Sequence, residues 1–201
     1  AIVPQPNWRD DLRDFTKLGA PRLFFGVSAG AMDSMVNHYT ANIRLRSNDA
    51  YTAGGKAGFR PDYAATVYCQ ILKRLYPHVP VVVGGIEASL RRLTHYDYWS
   101  DKLKPSMLIE SGADLLIYGM GERVVQQVAK AMRNGYNAKL LRKINQVAFV
   151  ADSSYVERLD PATTKILHSF EECQQDKRAF GENFVEEELL SNVMEPTTTL
   201  V

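Results

Sequence analysis

Cysteine is scarce: only Cys69 and Cys173 occur among the 201 residues, too far apart to make a metal-binding motif by themselves. A disulfide-dense secreted scaffold is not indicated. Cys69 falls in an apolar helical pattern and reads as a small buried hydrophobe, while Cys173 reads as an ordinary free thiol. Charge of one sign is lacking too, with 24 Lys+Arg against 23 Asp+Glu and a net charge of +1. The global basic excess of a nucleic-acid binder is therefore absent. No apolar run reaches the ~18–20 residues of a membrane span. The start, Ala1-Ile2-Val3-Pro4, has neither the basic opening nor the apolar stretch of a signal peptide. These absences make a cytoplasmic protein the expectation. The start also lacks an initiator Met, which reads as a piece cut from a longer protein.

What is present suits an α/β domain. At 45% hydrophobic residues, the chain can bury a real core. Arg22 to Ser28, Pro80 to Gly84 and Asp114 to Tyr118 are short, continuously apolar runs ended by small residues, as buried strands are. Pro61 to Tyr76 has apolar residues at helical spacing. Glu122 to Arg133 is a second amphipathic helix, with Val124, Val125, Val128, Ala129 and Met132 inward and Asn134-Gly135 closing it. Strands apolar throughout belong to parallel sheets covered on both faces. The expected fold is therefore an open, doubly wound parallel sheet, Rossmann-like, over residues 1–142. Residues 143–201 read as a smaller C-terminal extension and linker. It includes possible strands at Gln146 to Ala151 and Lys165 to Phe170, a polar helical stretch from Glu171 to Leu190, and a linker-like tail from Glu195.

In such sheets ligands bind at the carboxyl ends of the strands, where the order reverses. Three strands end in small residues here: Ser28-Ala29-Gly30, Gly84-Gly85 and Gly119-Met120-Gly121-Glu122. Glycines let a ligand approach the backbone closely. Ser28, Gly84, Gly85, Gly119, Gly121 and Glu122 are therefore the candidate binding residues, with ordinary turns as the alternative. The dinucleotide fingerprint fails: Gly26 to Gly30 has the wrong spacing, and Val124 stands where the third glycine after Gly119 and Gly121 is required. No Walker A sequence occurs. The locally basic stretch with Arg44, Arg46, Lys56 and Arg60 reads as solvated surface or as a contact for an anionic ligand. In Leu90 to Ser100, His95 and Asp97 form a possible acid–base pair and Tyr96, Tyr98 and Trp99 a stacking wall. The favoured reading of that segment is an aromatic loop packed against a neighbouring domain. His38 reads as structural or exposed, and no arrangement is specific enough to name a catalytic residue.

The segments PVVVGGIEAS and ADLLIYGMGERVVQQVAKAM resemble the last two βα units of cobalamin-binding domains fused to radical S-adenosylmethionine (SAM) enzymes. Ser28 matches the serine after that family's middle strand. The stretches PQPNWRDDLRDFTKLGAPRLFFGVSAGAMDSMVNHYTANIRLRSNDAYTAGGKAGFRPDY and RRLTHYDYWSDKL are similar still more closely to the YgiQ-like radical SAM proteins, a branch of unknown function. The resemblance implies an N-terminal cobalamin-binding-like domain that partners its own downstream barrel. It also implies cobalamin as the cofactor of this part, and a [4Fe–4S] cluster with SAM in the barrel. The cluster needs a Cys-x-x-x-Cys-x-x-Cys triplet, and neither Cys69 nor Cys173 belongs to one. The family's Asp-x-His-x-x-Gly loop is absent as well, so His38 and His95 are not matched to a cobalt ligand. Three functions follow as expectations: a ligand-binding part of a radical SAM enzyme, a docking module without ligand, or a binder of a nucleotide-like molecule through Arg44 to Arg60.

Overall fold

Three consecutive valines, Val81, Val82 and Val83, form the centre of the sheet, and all are buried. The computed structural model describes residues 1–135, 141–193 and 197–201. The elements run α1 (Arg13–Thr16), β1 (Phe25–Ser28), α2 (Ser34–His38), α3 (Ala64–Leu75), β2 (Val81–Gly84), α4 (Ile86–Leu90), β3 (His95–Asp97), β4 (Lys102–Lys104), α5 (Met107–Ser111), β5 (Leu115–Ile117), α6 (Glu122–Arg133), β6 (Val147–Ala148), α7 (Ser153–Val156), β7 (Thr164–Lys165), α8 (Phe170–Gln175), α9 (Lys177–Ser191) and β8 (Thr199–Leu200). They divide into two units: Ala1–Leu93 with Ser106–Val150, and Thr94–Pro105 with Ala151–Val201.

The first unit carries a four-stranded open sheet in the order β1-β2-β5-β6. Strands β1, β2 and β5 are parallel, with Ser28, Gly84 and Ile117 level at their carboxyl ends. β6 adds an antiparallel edge. Alternation along β2 decides which helix covers which face, because successive side chains point to opposite sides. Val81 and Val83 join Leu116 in a core with Ala64, Ala65, Tyr68, Cys69 and Leu72 of α3 and Met107 and Leu108 of α5. Val82 joins Leu115 and Ile117 in a second core with Val124, Val128 and Met132 of α6. Both faces are thus covered, as the apolar strands require. Burying each larger side chain contributes about 1.5–3 kcal/mol before the ordering cost.

The expected strands and the two long helices are present, with corrections at their margins. Val125 is exposed, not inward; the buried stripe of α6 is Val124, Val128 and Met132, at i, i+4 and i+8. The expected strand from Lys165 to Phe170 stops at Lys165. Ser169 caps α8 there in a capping box with Glu172, which commits Phe170 to the helix. Of the tail read as a linker, Glu195 and Pro196 lie outside the described residues, and Thr199–Leu200 pairs in parallel with β7. The short helices α2 and α5 show no periodicity over five residues, yet each has an N-cap. The Asp33 carboxylate accepts from the Met35 and Val36 amides, and the Ser106 hydroxyl from the Leu108 amide.

The chain leaves the first unit after Leu93 and returns at Ser106. Exit and return are tied together on the first unit: the Met107 amide donates to the Arg91 carbonyl at 2.8 Å. The Ser106 hydroxyl donates to the Arg92 carbonyl at 2.7 Å.

In the second unit β3 and β4 form an antiparallel hairpin pairing His95 with Lys104. The segment read as an aromatic loop is therefore a strand and a turn. At the turn, Asp97 accepts the Ser100 amide at 3.1 Å and its hydroxyl. Tyr98 and Trp99 meet edge to face at the tip, with ring centroids 5.9 Å apart. Helices α7, α8 and α9 and the short β7–β8 pair complete this unit. Among the described residues, no helix is long and apolar enough to cross a membrane.

Candidate functional site

The adjacent strands β2 and β5 send the chain to opposite faces of the sheet. After β2 it continues into α4 and α5, whose Ala88, Met107 and Leu108 pack on the α3 side. After β5 it enters α6 on the other side. Adjacent strands with diverging continuations open a crevice above their carboxyl ends. Ser89 links the two sides of this one: its hydroxyl donates to the Gly85 carbonyl at 2.9 Å and accepts the Gly119 amide at 3.1 Å. The rim is apolar and exposed. Ile86 and Leu90 stand one turn apart on α4, and Met120, 79% exposed, stands between β5 and α6.

The six expected binding residues lie at these strand ends, but the glycines have occupants supplied by the chain itself. A Cβ on Gly85 would lie 2.6 Å from the Ser28 hydroxyl, and its φ of +89° suits only glycine. A Cβ on Gly84 would meet the Ile117 carbonyl at 3.2 Å, and one on Gly121 the Ile117 side chain at 3.2 Å. At Gly119 it would meet the Gln146 amide at 2.9 Å. Ser28 accepts the Gly30 amide at 3.2 Å. Glu122 is exposed in the first turn of α6, where its charge complements the helix dipole. These glycines let strand ends approach one another. The apolar rim above them is the open surface.

Beside β1 and β2 lies a polar network that the motifs did not reveal. Glu87, 1% exposed, accepts the Ser34 amide at 2.8 Å and the Ala65 amide at 3.0 Å, so one carboxylate serves the first turns of both α2 and α3. Buried Asp33 and Arg91 form an ion pair. Buried Asp49 pairs with Arg60, whose Nε lies at 2.8 Å, and accepts from Asn37 at 2.7 Å. Arg60 also donates to the Ala29 carbonyl at 2.9 Å, just past β1. Burial pushes the Asp49 carboxyl up, but the hydrogen bond and charge of Arg60, with the Tyr51 amide and Asn37, outweigh it and hold the group below its ordinary value. The long segment 29–63 has little regular structure: the Asp49–Arg60 pair ties it to itself and, through the Ala29 carbonyl, to its start just past β1, while Asp33–Arg91 and Glu87 tie it to the chain after β2. Arg60 is thus consumed internally, whereas Arg44, Arg46 and Lys56 remain exposed. The signal was charged residues beside apolar runs, such as Glu87 and Arg91 around Ala88, but only the folded chain shows which acid meets which base.

His38 is buried within this network, with Nδ1 at 2.9 Å from Asp62 and Nε2 at 3.4 Å from Asp49. Tyr39 donates its hydroxyl to the other Asp62 oxygen at 2.8 Å, which holds the phenol protonated to higher pH than usual. These residues face a cavity of about 400 Å³ that Trp8, Arg9, Asn48, Ala57 and Gly58 also line. That volume falls in the range of small-molecule sites.

The resemblance implies an iron–sulfur cluster and a corrinoid, each of which needs particular donors. An iron–sulfur cluster needs cysteine thiolates. Cys69 is fully buried in α3, and burial, reinforced by the charge of Glu87, pushes its thiol up to about 12. Cys173 lies in the second unit, and its thiol is also raised by burial. Both are free thiols, and they do not fit a cluster. At the strand ends, the position a Gly85 Cβ would take lies against the Ser28 hydroxyl, and none of the expected binding residues there is a histidine that could ligate a corrinoid's cobalt. Neither cysteine should react measurably with iodoacetamide at pH 7.5 in the folded chain, and both should react in 6 M guanidinium. Rapid labelling of Cys69 without denaturant would contradict its burial.

The family model described as "Radical SAM N-terminal" matches residues 1–200. A UPF0313 protein of Porphyromonas gingivalis is 60% identical over 96% of this chain and 30% of its own length. One of Bacteroides thetaiotaomicron is 55% identical over 94% of this chain and 32% of its own. One of Geobacter sulfurreducens is 47% identical over 97% and 31%. The chain therefore spans about a third of the length of these relatives. No solved structure matches it.

Proposed function

The chain belongs to the radical SAM N-terminal family, and we propose that the crevice between β2 and β5 is the face on which this part receives the catalytic portion of a radical SAM protein. The observation that carries the reading is the exposed rim of Ile86, Leu90 and Met120 where two strands diverge. Isolated exposed apolar residues are commonplace, but a group gathered at a crevice marks an interaction site. The greater part of the relatives' length lies outside this chain, and that remainder is the occupant. The family assigns SAM and the [4Fe–4S] cluster to that portion, which accords with the two buried thiols here. In this reading the first unit closes over the catalytic portion and helps to exclude water from its radical chemistry. The substrate's chemical class is left to that portion, and no corrinoid is placed at the strand ends.

The test uses the full-length polypeptide expressed as two pieces, this chain and the remainder, mixed and followed by calorimetry. Leu90→Asp with Met120→Asp should weaken their association at least tenfold. The same changes should leave the stability of this chain within about 0.5 kcal/mol, since both side chains are exposed. Unchanged association would sink the proposal.

A further inference from the structure

The cavity beside His38 combines features that the strand-end crevice does not need. Asp62 is held by two donors, His38 Nδ1 and the Tyr39 hydroxyl, yet its side chain remains 45% exposed. A carboxylate fixed from behind and open in front is a pre-oriented acceptor. His38 itself is only 5% exposed, and its Nε2 makes no hydrogen bond among the described residues. Around this acceptor the charge is positive. Arg9 lines the cavity, with its guanidinium 4.9 Å from the Trp8 ring and one hydrogen bond to the Gly58 carbonyl. Arg46 stands beside it: its amide donates to the His38 carbonyl and its Nε to the Tyr39 carbonyl. Lys56 lies across from Asn48, which lines the wall. Asp49 is already neutralised by Arg60, so the exposed cations available here are Arg9 in the lining and Arg46 and Lys56, which are tied to the lining residues Tyr39 and Asn48. Trp8 and Tyr39 add aromatic walls.

An anion alone would gain nothing from Asp62, and a cation would be repelled by Arg9 in the lining. A ligand with a negative group at one end and N–H donors on a flat ring at the other satisfies all of these groups. We propose that this cavity binds a nucleoside monophosphate, its phosphate toward Arg46 and Lys56 and its base edge donating to Asp62. The site stands apart from the β2–β5 crevice and does not depend on the docking proposal. Exposed lysine and arginine each contribute modestly to such binding, whereas an aromatic platform and a charge-assisted acceptor add more.

The chain is titrated calorimetrically with GMP, AMP, guanosine and inorganic phosphate at 0.05 and 0.3 M salt. Saturable one-to-one binding of a nucleotide is expected, at least tenfold tighter than inorganic phosphate and weaker at the higher salt. Arg46→Ala with Lys56→Ala should weaken it about tenfold or more while leaving guanosine binding unchanged, and Asp62→Asn should change the preference between GMP and AMP. The double variant alters only exposed side chains, so its fold, followed by circular dichroism, serves as the control. The proposal is overturned if no nucleotide saturates the chain at millimolar concentration. It is equally overturned if inorganic phosphate binds as tightly as nucleotide, or if the double variant binds as the parent does.

Discussion

Alanine in place of Arg60 should destabilise the first unit by about 3–5 kcal/mol, because it leaves the buried Asp49 carboxylate without its cation. The loss exceeds that of a surface pair, for which ~0–1 kcal/mol is usual. It should appear as faster hydrogen exchange of the Val82 and Val83 amides, which open only when the sheet does. The pH dependence supplies a second check. In the parent chain the Asp49 carboxyl is held below its ordinary value, so its contribution is fully present above about pH 4 and is lost as pH falls through the lower folded value. Without Arg60, burial dominates and the folded carboxyl moves up instead. The variant should therefore be most impaired at neutral pH and approach the parent near pH 3. A penalty below 1 kcal/mol, or one that does not change with pH, would show that segment 29–63 is held by something else.

Valine at Gly85 should cost about 2–5 kcal/mol. Two effects act together: a φ of +89° is strained for a β-branched residue, and the new Cβ would stand 2.6 Å from the Ser28 hydroxyl. Ser28 is level with Gly84, so the two strands cannot both keep their register around that atom. Removing the hydroxyl with Ser28→Ala in the same chain should restore part of the loss, leaving mainly the backbone strain. Chemical unfolding of the single and double variants measures this coupling. If Gly85→Val melts like the parent, the glycine is an ordinary turn residue and the close approach of β1 to this turn is unimportant.

Much of the first unit was legible in the sequence because its elements obey simple periods. Val81–Val83 is apolar without a break, and Val124, Val128 and Met132 repeat every fourth residue. The short helices escaped notice because five residues carry no period, only a cap such as Asp33 or Ser106. The strand-end glycines were legible, but the atoms beside them were not. A sequence shows that a Cβ is missing but not which atom fills the space, and here the Ser28 hydroxyl and the Ile117 carbonyl do. The polar network was least visible. Asp49 and Arg60 are eleven residues apart and Asp33 and Arg91 fifty-eight, so only the folded path brings them together. Arg60 looked like part of a basic surface because nothing local marks a charge as buried.

The pair of hydrogen bonds that ties Arg91 and Arg92 to Met107 and Ser106 gives the intervening stretch a particular standing. Its two ends are already side by side, so the first unit is continuous without it, as a road is continuous past a lay-by. Thr94–Pro105 is thus an excursion from a path that is already closed, and the cores around Val82 and Val83 take no backbone from it.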